Sequence, residues 1–143
     1  MKITDRLYVE HQLLRVMMAA MARWLEAGMP AEVLRARAAL LGEALEDHAH
    51  REETFLFDVL RPLTPVAERP VDMMTVVHAE VRDLLEEVAD PSRAPAGRMW
   101  TVLQLTEEHF VEEENSLFPL AETYIGAEAL ARLGAEAERS TTA

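Results

Sequence analysis

The stretch Leu45–Leu60, "LEDHAHREETFLFDVL", is written a second time as Thr106–Ala121, "TEEHFVEEENSLFPLA". A shift of 61 positions lays His48 on His109, Glu52 on Glu113, Glu53 on Glu114, and Leu56 and Phe57 on Leu117 and Phe118. In a helix, positions i and i+4 share a face with Cβ atoms roughly 6 Å apart, so each copy sets one imidazole above one carboxylate. A looser repeat accompanies it: "EHQLLR" (Glu10–Arg15) matches "VHAEVR" (Val77–Arg82) at a shift of 67. The chain therefore reads as a duplicated helical hairpin.

Punctuation divides the rest. Gly28 and Pro30 in "AGMP", the prolines of "RPLTP" (Arg61–Pro65) and "ERP" (Glu68–Pro70), and "DPSRAP" (Asp90–Pro95) mark three connections, and Gly126 sets off a tail. Between them apolar residues recur at three and four. Leu7, His11, Leu14, Met18, Met21 and Leu25 make one stripe; Val76, Val81, Leu84, Leu85 and Val88 another; Met99, Leu103, Leu105, Phe110 and Leu117 a third. The spacing predicts helices over about 4–28, 31–61, 70–90 and 95–123, and a short amphipathic one over about 127–138, with Thr4 or Asp5 capping the first. No segment alternates at period two for long enough to make a strand. The expected fold is all-α: an up-down-up-down antiparallel four-helix bundle with a short C-terminal helix. Residues 1–125 form the expected domain and 126–143 a tail, and the sequence does not decide whether that tail caps the bundle or pairs with another chain.

Each long helix carries one histidine: His11, His48, His78 and His109. Residues on adjacent antiparallel helices are level when the midpoint of their numbers falls on the turn. The midpoints here, about 29.5, 63 and 93.5, fall on the connections found independently from glycine and proline. Four imidazoles thus share one layer with Glu52 and Glu113. Two unpaired buried carboxylates cost several kcal/mol each, so the layer calls for positive charge, and a pair of divalent cations supplies it. Imidazole-rich sites suit iron, copper, zinc or nickel better than magnesium or calcium. A lone HxxxE pair is usually a surface contact; two copies with two more level histidines are not.

The other features narrow the function classes. The chain has 143 residues, half of them apolar and 28% charged, which is a globular balance. Its net charge of −12 lacks the basic footprint that nucleic acid requires. The absence of cysteine removes disulfides, thiolate sites and a thiol nucleophile, and goes with a cytoplasmic setting. The longest apolar run, Val16–Ala22, is too short for a membrane span, and "MKITDRLYVEH" has no signal-peptide core, so a soluble cytoplasmic protein is expected.

On "EHQLLR", "VHAEVRDLL" and the doubled HxxxEExxLF at His48–Phe57 and His109–Phe118, the chain resembles the hemerythrin-like HHE cation-binding family over about residues 5–121. The resemblance implies a four-helix bundle around a non-haem centre of two iron ions, oxo- or hydroxo-bridged. It implies ligands His11, His48, Glu52, His78, His109 and Glu113, and a small ligand such as dioxygen, nitric oxide or peroxide. The ligand set alone also permits manganese or zinc. One position departs from the oxygen carriers, which have a second histidine four residues after the third-helix ligand; here it is Arg82, which does not ligate. That implies a more symmetric and more open centre and turns the expectation from oxygen carriage towards sensing or redox chemistry. The Glu-x-x-His of ferritin-like sites is missing. The competing readings are an iron-binding or iron-sensing module without catalysis and a metal-free structural bundle. No general base stands apart from the ligands, so no enzymatic activity is assigned.

Other residues have less certain places. His50, about 200° around the helix from His48, is expected to face away from the layer. Glu53 and Glu114 flank the inward face, either orienting histidines on other helices or simply solvated, with Arg15 and Arg82 as their candidate partners. Leu56, Phe57, Leu117 and Phe118 are expected to keep the centre dry. Tyr8, one turn before His11, is either core or close to the centre. Met17, Met18, Met21, Met73, Met74 and Met99 read as core filling.

Overall fold

A computed structural model describes residues 1–142 as five helices, with no strand among the described residues. Helix α1 spans Ile3–Glu26. Helix α2 covers 31–60: an α-helix over Ala31–Glu52, a π-helical turn over Glu53–Phe57 and a last α-turn over Asp58–Leu60. Helix α3 spans Pro65–Ala89. Helix α4 covers 96–124 and repeats the design of α2, with α-helix over Ala96–Glu112, a π turn over Glu113–Leu117 and α-helix over Phe118–Tyr124. Helix α5 spans Ala127–Thr142. Residue 143, the last of the expected tail, lies outside the described residues.

The connections follow from local chemistry. After α1 the Gly28 N–H donates to Leu25 O and the Met29 N–H to Trp24 O, with Gly28 at φ +70°, a backbone region that glycine enters without a Cβ clash. Between α2 and α3 the expected loop over residues 61–70 is mostly helix. Arg61–Leu63 is a 3-10 turn, and Thr64 then starts α3 by accepting the Val66 N–H at 3.3 Å, with Pro65 at the first helical position. Pro70 therefore lies inside α3, where it deprives the Val66 carbonyl of its partner; Val66 is exposed, so water can replace the bond. Neither Thr4 nor Asp5 caps α1: Lys2 holds the cap position without a side-chain capping bond, and Thr4 Oγ1 donates to Glu122 at 2.7 Å instead.

The π turns have a packing role. On a straight α-helix, residues four apart drift by about 40° per step. A wider turn offsets that drift, and Glu52, Leu56, Phe57 and Leu60 are all buried in α2, as are Glu113, Leu117, Phe118 and Ala121 in α4.

Consecutive long helices pack on one another, α1 also packs on α4, and α5 lies against α1 and the π turn of α2. The apolar core is split in two. One cluster, with Ile3, Leu7, Phe57, Met74 and Phe118, takes in Leu130 and Ala137 of α5; the other, with Leu14, Met21, Leu41, Val88, Met99 and Phe110, lies beyond His11 along α1. His11 sits between Leu7 of the first cluster and Leu14 of the second, and the polar layer occupies that level. Most of the expected stripes are inside, but Val76, Met17 and Met73 are exposed. No described helix is long and apolar enough to cross a membrane.

Candidate metal centre

His11, His48, Glu52, His78, His109 and Glu113 are buried and converge from four helices. All four imidazoles present Nε2 to the centre. Glu52 Oε1 lies 3.1 Å from His48 Nε2, 3.2 Å from His78 Nε2 and 3.5 Å from His109 Nε2, while its Oε2 is 3.9 Å from His11 Nε2. Glu113 Oε1 lies 2.8 Å from His109 Nε2 and 3.5 Å from His11 Nε2. The His78 and His109 Nε2 atoms are 3.0 Å apart. The level layer expected from the turn midpoints is thus present.

The His78 and His109 Nε2 atoms pair with each other, but most of the remaining inward atoms are close without being bonded. His11 Nε2, His48 Nε2 and all four carboxylate oxygens of Glu52 and Glu113 are buried with no hydrogen-bond partner. Buried polar atoms are nearly always satisfied, so six orphans aimed at one point fit a cation-binding site rather than a polar core. The donor atoms fall into two overlapping groups, each within 4.8 Å: His11, His48, Glu52 and Glu113, and Glu52, His78 and His109. Nitrogen and carboxylate oxygen donors in this mixture suit a transition metal.

Behind the inward face, carboxylates on neighbouring helices hold the far side of the rings. His11 Nδ1 donates to Glu114 Oε2 at 2.6 Å, and Arg15 holds Glu114 through both guanidinium nitrogens. His48 Nδ1 donates to Glu10 Oε1 at 2.8 Å, and Glu10 in turn is gripped by Arg51 and Arg6. A carboxylate only accepts, so these bonds put a proton on Nδ1 and leave Nε2 free to face the centre. Glu53 lies 3.5 Å from His78 Nδ1 and pairs with Arg82. His109 Nδ1 is buried with no partner.

The electrostatics of the layer follow from burial set against its own opposite charges. Burial pushes the His48 imidazole down, but Glu52 and Glu10 more than offset this and raise its pKa to about 9. Burial likewise pushes the Glu52 carboxyl up, yet His48, His109 and His11 hold it well below the usual carboxylate range. His109 is driven the other way, below the ordinary imidazole value, by burial, with His78 and His48 adding to it against Glu52.

Residues 2–121 match the family model described as Hemerythrin HHE cation binding domain. The chain belongs to that family. No curated protein and no solved structure matches it. This HHE chain carries its doubled motif on two helices that each break into a π turn beside the repeated glutamate, a location typical of functional sites. Glu53 and Glu114 stand behind histidines, and Arg15 and Arg82 pair with them. Phe57 stacks on His78 at 5.6 Å and Phe118 on His11 at 5.5 Å, closing one side of the layer. His50 is exposed, and Tyr8 is half-exposed rather than near the centre. Glu10 was not among the candidates; its signal was its place beside His11 on the helix facing His48. Phe110, stacked on His11 at 3.9 Å, read only as core.

Proposed function

We propose that this HHE protein holds a carboxylate-bridged pair of iron ions, with His11, His48, His78 and His109 as terminal ligands and Glu52 and Glu113 as bridges. Its function in this reading is to bind dioxygen, nitric oxide or peroxide for sensing or redox handling. Residues 1–125 make an up-down-up-down antiparallel four-helix bundle, an arrangement supported by the short connections and the packing of consecutive helices. Residues 126–143 are its tail. The single observation that carries the reading is the set of six buried, unbonded donor atoms on His11, His48, Glu52 and Glu113.

Bound iron would supply an open coordination position and one-electron chemistry to a small ligand. The protein's own residues do the rest. Glu10 and Glu114 fix the Nδ1 protons of His48 and His11 and so aim both Nε2 atoms inward. Leu56, Phe57, Leu117 and Phe118 exclude water from one side. Arg15 and Arg51 keep the outer carboxylates charged.

Elemental analysis and an optical spectrum of protein made in iron-rich medium test the proposal. About two irons per chain with near-ultraviolet absorption of a bridged ferric pair is the expected result. Protein that contains no metal, and whose anaerobic apo form takes none up, overturns it.

A further inference from the structure

The duplicated hairpin offers an internal control. Shifts of 67 and 61 carry α1 onto α3 and α2 onto α4, exchanging the pair His11 and His48 for the pair His78 and His109. The donors repeat. Three residues around them do not.

The first is Glu10, which holds His48 Nδ1; its counterpart is Val77, and His109 Nδ1 accordingly has no partner. The second is Phe110, whose ring covers His11; its counterpart is Ala49. The third is Leu103, buried on the Phe110 side, against Gly42. Where the small residues stand there is a cavity of about 40 Å³, bordered by Gly42, Ala49, Val77 and Val81 and reaching Glu52, His48, His78 and His109 but neither His11 nor Glu113. About 10–15 Å³ on the same measure admits a water, so a diatomic or triatomic ligand fits. Gly42, Glu46, Arg82 and Leu85 border both this cavity and an open groove outside it, which makes the Arg82–Glu46 ion pair the rim of its mouth. The counterpart pair, Arg15–Glu107, borders only a surface groove.

Resting on the metal-centre reading above, we infer that the two cation positions are unequal: the one between His11 and His48 is the tight position, and the one between His78 and His109 is the labile position that faces the small ligand through the Gly42–Ala49–Val77 cavity. The tight position has both its histidines held by a carboxylate, His11 by Glu114 and His48 by Glu10. At the other, neither Nδ1 has a hydrogen-bond partner: Glu53 stands 3.5 Å from that of His78, and no carboxylate stands behind that of His109. Outer carboxylates of this kind are worth about 10–100-fold in metal affinity.

Anaerobic titration of the apoprotein with cobalt(II), followed by its visible bands, tests this. Two separated steps are expected, the first at least about 10-fold tighter. His11→Ala removes the first step and His109→Ala the second. Azide perturbs the bands only after the second equivalent. Val77→Glu, which copies Glu10 onto the other half, brings the second step towards the first. Glu10→Gln, which buries no new charge, weakens the first. Equal affinities, loss of the tight step in His109→Ala, or an azide response at one equivalent overturns the inference and leaves the metal centre standing. No cobalt uptake at all defeats the metal centre itself.

Discussion

His48 and His109 occupy the same place in two copies of one sequence pattern, and their surroundings differ. Behind His48 stands Glu10, held by two arginines; the counterpart of Glu10 is Val77, and the Nδ1 of His109 has no partner. Beside the second motif Phe110 fills the space over His11, whereas beside the first Ala49 leaves a cavity. The donors are constrained by geometry in both copies, because an imidazole and a carboxylate four residues apart must share a face. The residues one layer further out are free to diverge. A duplicated scaffold can in this way keep a symmetric donor set and still distinguish its two halves.

The two central glutamates, Glu52 and Glu113, offer the strongest way to break the comparison. Glu52 lies within 3.9 Å of all four inward imidazole nitrogens, but Glu113 is close to those of His11 and His109 alone. Glu52→Ala is expected to abolish metal uptake, and Glu113→Ala to leave part of it, measured as metal per chain after desalting. Equal losses would mean that the two repeats contribute equivalently and that the distances carry no functional weight.

Side-chain volume comes next. Phe110→Ala is expected to cost about 3–5 kcal/mol in denaturant unfolding of the apoprotein, because a buried ring is removed and its cavity remains. The reciprocal Ala49→Phe fills the cavity at about 1–3 kcal/mol of strain. Its expected signature is a metal-loaded protein of unchanged metal content that no longer responds to azide. A retained azide response would show that the ligand reaches the centre by another route.

The arginine pair sharpens the comparison further. Arg82 and Arg15 are counterparts, yet Arg82 rims the cavity while Arg15 lies 5.5 Å from the Phe110 ring centroid and pairs with Glu107 and Glu114. Arg82→Ala removes two partly exposed ion pairs, with Glu46 and Glu53, worth about 0–1 kcal/mol each, and is expected to speed azide binding in stopped flow. Arg15→Ala is expected to leave that rate unchanged.

Much of this was legible in the sequence because it rests on spacing. Helical period, the Gly28 turn and the level histidines all follow from residue numbers. Other features depend on competition that spacing does not record. Pro65 and Pro70 look like two breaks, but Thr64 makes the first a helix start, and exposure of Val66 lets α3 absorb the second. The π turns change backbone register without changing the letters of the motif. Tyr8 and Val76 lie on the edges of their apolar stripes, where a small rotation decides between core and solvent. The cavity was present as Ala49 opposite Phe110, but a small residue reveals a space only once its neighbours are placed. Glu10 has no counterpart in the repeat, where Val77 stands, so the doubled pattern does not mark it.

The ends of the two halves give the smallest test. Glu122 on α4 and Arg61, just after α2, are counterparts at a shift of 61, with opposite charge. Glu122 accepts from Thr4 and Lys2 at the start of α1, whereas Arg61 donates to Asp72 on α3. The Thr4 hydroxyl, and then Lys2, hold the Glu122 carboxyl below its ordinary value of 4.5 against slight burial. Arg61 holds Asp72 below 3.8. Each contribution is therefore present above the ordinary value and is lost as pH falls through the lower folded value. Both groups are solvent-facing, so the effect on stability is small and the titration itself is the measurement. Carboxyl NMR of the Thr4→Val variant should show Glu122 returning towards 4.5 with Asp72 unmoved. A parallel shift of Asp72 would mean that the two ends are coupled through the bundle, and the halves would then not be independent.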